Sequence, residues 1–317
     1  MKIVVVTGCL GFMGSYFTRK ALQKGWQVRG IDKVTYAANP ELLKEFNEYS
    51  NFCFEKRDIK NLKRLYDCDY IVNFAAESHV GNSIINSDDF INSNILGVKN
   101  LLDLTRHKPI NCNDKPILFH ISTDEVYGDI ASGAHVETDI LKPSNPYSAA
   151  KAGGDMFINA WARTYGIEYI ILRPTNNYGI GQYPEKLIPL SVKNLERGKK
   201  IKLHDQGAPT RNWLHADDTA EAVMAIIDSG NVNEIYNVAG NFEQKNKNTF
   251  KKITQSFYGN HDVDWTEYAD LEYKRPGQDV RYALNDQKLR SLGWRPTKVF
   301  DEEIYDIVQY YKKSFKW

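Results

Sequence analysis

Short runs of apolar, β-branched residues recur along the first half of the chain, at Lys2–Thr7, Gln27–Asp32, Asn51–Lys56, Tyr70–Ala75, Pro116–Ser122 and Tyr169–Arg173. Their hydrophobicity is continuous rather than alternating, which predicts strands covered on both faces and therefore a parallel sheet. Between them, Gly14–Lys24, Phe90–Thr105 and Pro146–Tyr165 carry helical patterning, the last opening with Pro146 in first-turn position behind Ser144-Asn145. The alternation predicts an α/β fold with a doubly wound parallel sheet. After Arg173-Pro174 the alternation loosens into turns, aromatics and mixed charge, so a smaller C-terminal domain is expected there. The expected division is 1–175 plus about 212–238 for the sheet domain, and 176–211 plus 239–317 for the smaller one.

Composition narrows the partners. The 317 residues are 42% hydrophobic and 26% charged, as in ordinary globular proteins. Lys and Arg total 41 against 40 Asp and Glu, so no global field steers the chain to nucleic acid or an anionic membrane, and an anionic ligand needs a local site. Cys9, Cys53, Cys68 and Cys112 form no Cys-x-x-Cys pair, and the seven histidines form no ligand cluster. A reducing cytoplasm and no metal are expected, with His79, His120 and His215 as structural or supporting groups. The apolar start is too short for a signal-peptide core or a membrane span.

The first strand runs into Gly8-Cys9-Leu10-Gly11-Phe12-Met13-Gly14 and then a helix. Such a turn lets the backbone approach a pyrophosphate, and the helix N-terminus supplies amide donors. The second strand ends in Gly30-Ile31-Asp32, which places a carboxylate against ribose hydroxyls and disfavours a 2′-phosphate. NAD is therefore expected, with Lys33 leaving NADP open. This is a Rossmann-like order. Asp58-Ile59 follows the third strand in the position of an adenine contact, and Phe74 to Ser78, with Ala75 and Ala76, follows the fourth beside the nicotinamide half.

Downstream, Tyr147 and Lys151 share a helical face, and a nearby ammonium is expected to lower the phenol pKa and fit it as a base. Taken singly this is an ordinary surface pair. It gains meaning from Ser122-Thr123-Asp124-Glu125 at the end of the fifth strand, because the carboxyl ends of a doubly wound sheet line one crevice. Thr123 can bond a sugar O4. Asp124 and Glu125 offer an acid and a base, the pair needed to remove water across two carbons beside a ketone.

Seven ordered segments resemble the dTDP-glucose 4,6-dehydratase family of extended short-chain dehydrogenase/reductase proteins: Ala75–Val80, Ser122–Gly128, Tyr147–Lys151, Asn176–Gly179, Pro184–Pro189, Arg211–Trp213 and Arg275–Asp279. The resemblance implies a lyase in which Tyr147 is the base at the C4 hydroxyl, Lys151 its partner and ribose contact, Thr123 the O4 ligand, Asp124 the acid at C6 and Glu125 the base at C5. Hydride taken from C4 returns to C6, regenerating NAD. It completes the cofactor set with Phe12, Met13, Lys33, Thr35, Ser93, Asn177 and, besides their catalytic roles, Tyr147 and Lys151. It assigns the sugar nucleotide to Ser78, Asn176, Lys186, Leu187, Lys202, His204, Arg211, Asn246, Arg275 and Asp279, and it implies a homodimer. His204 stands where the family usually has tyrosine, and Gly81-Asn82 where it usually has Asp-Arg. The rivals are a UDP-glucose or UDP-N-acetylglucosamine 4,6-dehydratase, an epimerase or decarboxylase, and a silent NAD-binding regulatory protein. Epimerases and decarboxylases need no C6 acid, so Asp124 speaks against them.

Overall fold

The computed structural model describes residues 1–107, 115–273 and 279–314. Its central sheet has seven strands, all parallel: β1 (Ile3–Thr7), β2 (Gln27–Asp32), β3 (Phe52–Lys56), β4 (Tyr70–Asn73), β5 (Ile117–Ile121), β6 (Tyr169–Pro174) and β10 (Glu234–Val238). The order β10-β6-β5-β4-β1-β2-β3 reverses direction between β1 and β4, which opens a crevice at the carboxyl ends of the strands. The continuous apolar runs have their explanation here. Val4 and Val6 enter one core layer and Val5 the opposite one, so neighbouring positions on a strand are all buried.

One face is covered by α1 (Phe12–Gln23), α2 (Leu42–Phe46) and, from the second half of the chain, α8 (Ala216–Ser229), which packs on α1. The opposite face carries α3 (Val80–Ile85), α4 (Asp88–Ile91), α5 (Val98–Arg106) and α6 (Pro146–Tyr165). The capping box at Asn145 and Ser148, with Pro146 behind it, fixes where α6 begins, and Gly166 in the left-handed region ends it.

The helix expected over Phe90–Thr105 is interrupted by a π turn, Asn92–Gly97, between α4 and α5. Its cause is local. The Asn94 side chain exchanges two hydrogen bonds of 3.0 Å with the Glu77 backbone, pinning the helix to the strand-end loop and facing Ser93 into the crevice.

The remaining elements form a second core: a three-stranded sheet, β11 (Glu243–Lys245), β9 (Thr210–His215) and β7 (Asn176–Tyr178), with a parallel pair, β8 (Ile201–Lys202) and β12 (Ala269–Asp270). Around them pack α7 (Leu187–Glu196), α9 (Asn246–Tyr258) and α11 (Phe300–Ser314), while α10 (Gln287–Arg290) lies on β10. No helix among the described residues is long and apolar enough to cross a membrane.

Candidate active site

A cleft runs along the carboxyl ends of the sheet from the β1 turn to the start of α6. At its β1 end, Gly8 adopts φ +71°, and a Cβ there would lie 2.7 Å from the Ala75 nitrogen. A Cβ on Gly14 would lie 2.1 Å from the Gly8 carbonyl. Only glycine fits either position. Gly11 caps α1 with no side-chain hydrogen bond, which leaves the first helical amides for an anion. Cys9 and Leu10 are fully buried in the core beneath the turn and keep clear of its outer surface.

Asp32 is buried and accepts from the backbone nitrogens of Leu10 (3.0 Å) and Val34 (2.7 Å). Lys33 is paired with Glu77 and Ser93, each at 3.0 Å, so its charge is already committed. That removes the reason for keeping NADP open. Phe12, Met13, Thr35, Asp58, Ile59, Phe74, Ala75, Ala76, Ser78, Ser93 and Asn177 all face the same cleft. Ala37, Ala38, Arg57, Ser122, Thr175, Gln182, Tyr183 and Glu185 line it as well. Apart from Ser122 and Glu185, which lie within segments already singled out, sequence reasoning missed them because they sit on loops beside the recognisable motifs. Buried acceptors Asp124 Oδ2 and Asn176 Oδ1 have no hydrogen-bond partner, as expected of groups shaped to meet a polar ligand. The glycine cradle, the buried ribose-side carboxylate and these acceptors fit a dinucleotide followed by a polar substrate.

At the other end, β5 delivers Thr123, Asp124 and Glu125, and the first turns of α6 deliver Tyr147 and Lys151. Thr123 Oγ1 donates to Asp124 Oδ1 (3.1 Å), and Asn145 Nδ2 donates to Glu125 Oε2 (3.2 Å). Burial, reinforced by the Glu125 charge, pushes the Asp124 carboxyl up to about 7, against the opposing pull of Thr123 and Arg211. One of two adjacent carboxyl groups is therefore held as an acid near neutral pH.

The expected effect of Lys151 on Tyr147 differs in the structure. The phenol is pushed up, by burial first and then by Glu125 and Asp124. Lys151 Nζ instead donates to the Ile121 carbonyl at 2.6 Å and lies 3.4 Å from His120 Nε2, and burial lowers its pKa to about 8. The shared helical face was legible, but burial dominates both groups, and neither is among the charges that move the other.

His120 is fully buried and bonded to Asn73, while His79 and His215 cap α3 and α8. These are the supporting roles expected. No cluster of His, Cys, Asp or Glu suited to a metal occurs among the described residues.

The sugar-nucleotide set divides. Ser78, Thr123, Asn176 and Lys186 line the cleft. Leu187, Lys202, His204, Arg211, Asn246 and Asp279 do not, and Arg275 lies outside the described residues. They stand on the small-sheet side instead. Arg211 donates to the Asp279 and Thr210 carbonyls, and its charge reaches Asp124. Asp279 accepts from Ser144 and Tyr282. The His204 ring lies 4.8 Å from Tyr273, with Lys202 Nζ 4.8 Å above that same ring. Tyr273 thus supplies an aromatic group next to the position where tyrosine was missing.

A parallel sheet reversing between β1 and β4, with a glycine cradle at one end of its crevice and Thr, Tyr and Lys at the other, defines an extended short-chain dehydrogenase/reductase. The GDP-mannose 4,6 dehydratase family model matches residues 5–307. The dTDP-glucose 4,6-dehydratase of Haemophilus influenzae is 37% identical, over 98% of this chain and 98% of its own. Escherichia coli dTDP-glucose 4,6-dehydratase 1 is 36% identical, over 100% of this chain and 94% of its own. Among solved structures, the dTDP-glucose 4,6-dehydratase DesIV of Streptomyces venezuelae, with NAD bound, superposes with a TM-score of 0.90 at 36% identity, covering 98% of this chain and 97% of that one. The chain belongs to the dTDP-glucose 4,6-dehydratase family.

Proposed function

We propose that the protein is an NAD-dependent hydro-lyase that converts dTDP-glucose to dTDP-4-keto-6-deoxyglucose. The observation that carries this reading is the adjacent pair of carboxyl groups lining the cleft at the end of β5, Asp124 buried and pushed up to about 7 by burial and the Glu125 charge. A simple oxidoreductase or epimerase has no use for such an acid.

When bound, NAD supplies the hydride acceptor and a positive charge that favours the phenolate of Tyr147. Tyr147 takes the proton of the C4 hydroxyl and Thr123 holds O4. Lys151, fixed by the Ile121 carbonyl, contacts the ribose. Glu125 removes the C5 proton, acidified by the ketone, and Asp124 protonates the leaving C6 hydroxyl. Gly8, Gly11, Gly14 and Asp32 hold the dinucleotide on the sheet domain, residues 1–175 and about 212–238. The smaller domain contributes Asn176, Lys186, Leu187, Lys202, His204, Arg211, Asn246, Arg275 and Asp279 to the sugar nucleotide. Arginine forks and lysine charge suit a diphosphate in a chain with a net charge of +1.

The reading places the protein in the cytoplasm as a homodimer. Exposed apolar side chains on neighbouring α3 to α6, namely Ile85, Ile91, Leu96 and Met156, supply a face for a second copy. Gly81-Asn82, in place of the family's usual pair, keeps a UDP sugar as the second reading.

Mass spectrometry of the products from dTDP-, UDP- and CDP-glucose tests the proposal. Loss of one water from dTDP-glucose, with deuterium moved from C4 to C6, is expected. Loss from UDP-glucose alone selects the second reading, and no loss from any donor overturns both.

A further inference from the structure

The mouth of the cleft is crossed by a chain of hydrogen bonds that the proposed chemistry does not use. Tyr36 OH donates to Glu185 Oε2 at 2.9 Å and accepts from Asn82 Nδ2 at 3.3 Å. The three residues come from three separate elements: the loop after β2, the helix α3 and the loop before α7. Thr35 and Ala37, flanking Tyr36, line the cleft, as do Tyr183, Glu185 and Lys186. The Tyr36 ring stands half-exposed at the rim, edge-on to Tyr183 with centroids 5.2 Å apart.

Two further links run alongside. Lys186 Nζ donates to the Ser78 carbonyl at 2.7 Å, and Lys33 pairs with Glu77 at 3.0 Å. The loop that carries Tyr36 is also aimed by strain. Val34, a β-branched residue, is held at φ 60° in the left-handed region, where Asp32 Oδ1 accepts from its nitrogen. A strained residue persists only where its surroundings over-determine it, and here the buried Asp32 carboxylate holds it just ahead of Tyr36.

We propose that Asn82, Tyr36 and Glu185 form a clasp that retains the dinucleotide between catalytic cycles. The inference rests on the dehydratase reading, in which the cofactor ends each cycle in the form in which it began and gains nothing by leaving. It also gives a use to Asn82, one of the positions at which this chain departs from the pattern it resembles. A shorter amide there reaches the Tyr36 hydroxyl and closes the third side of the rim.

Stopped-flow release of NAD from the loaded protein, chased by excess unlabelled cofactor analogue, tests the clasp. Tyr36→Phe removes both hydrogen bonds and keeps the ring contact with Tyr183. At this exposure each bond is worth about 0.5 kcal/mol, so release should quicken about fivefold. Asn82→Ala removes one bond and should quicken release about twofold, with the NAD content after gel filtration ranked parent, Asn82→Ala, Tyr36→Phe. Release from Tyr36→Phe at the parent's rate overturns the clasp and leaves the dehydratase reading intact. A parent that holds NAD but dehydrates no nucleotide sugar overturns that reading, while the release rates still decide the clasp.

Discussion

The two sides of the crevice hold most of their charged groups under different conditions. On the floor, Asp124, Tyr147 and Lys151 are buried at the ends of β5 and α6, and each has its proton affinity displaced by lack of water. On the wall formed by the smaller core, Lys186 is half-buried and Lys202 exposed, while Arg211 is turned onto backbone carbonyls. Chemistry that needs an acid and a base at the same pH belongs on the dry side, where environment can separate two similar carboxyl groups. Recognition of a diphosphate needs only charge and reach, which half-buried Lys186 and exposed Lys202 can supply, with buried Arg211 behind them. The floor should therefore govern kcat and its pH dependence, and the wall KM.

The largest effect is expected at the floor. Tyr147→Phe should lower kcat by about 10³-fold, measured by product formation, with NAD content after gel filtration unchanged. Comparable loss of bound NAD would mean that Tyr147 holds cofactor rather than moving a proton.

Asp124→Asn should lower kcat by about 10²-fold and slow water loss more than C4 oxidation, which single-turnover product analysis separates. Because the raised carboxyl acts as an acid, parent kcat should be high below about pH 7 and fall as pH rises through it. The same shift has a stability sign. The folded state binds this proton more tightly than the unfolded chain, so stability is lost as pH rises from about 4 to about 7. Asp124→Asn should then melt higher than the parent at about pH 8 and gain less at about pH 4, by thermal denaturation. A uniform gain at both would place the effect outside this proton.

On the wall, Arg211→Lys should raise KM for the sugar nucleotide about tenfold through loss of the guanidinium fork, with kcat changed about twofold at most. A fall in kcat larger than the rise in KM would move Arg211 to the floor, where its charge already reaches Asp124. The smallest effect is expected for Lys202→Ala, about a twofold rise in KM that diminishes with added salt, because an exposed charge is screened.

Much of the floor was legible because it is local. Gly8 to Gly14, Asp32, Thr123 to Glu125 and Tyr147 with Lys151 each lie within one turn or one strand end, and the sheet order brings strand ends together. The strands and α6 followed from continuous apolar runs and from the Asn145 cap for the same reason. The π turn at Asn92–Gly97 was not legible, since its cause is a pair of bonds to Glu77, on another element. The clasp from Asn82 through Tyr36 to Glu185 was equally hidden, because its members are separated in sequence and unremarkable singly.

By itself, then, the sequence determined the parallel sheet, the cradle for a dinucleotide and the gathering of Thr123, Asp124, Glu125, Tyr147 and Lys151 at one cleft, all properties of short segments and their order. Only the tertiary structure decided the protonation of those groups. Burial set Asp124 and Lys151 near neutrality and turned the expected effect on Tyr147 around, because the cost of charge depends on how much water remains, and that is fixed by packing from distant parts of the chain.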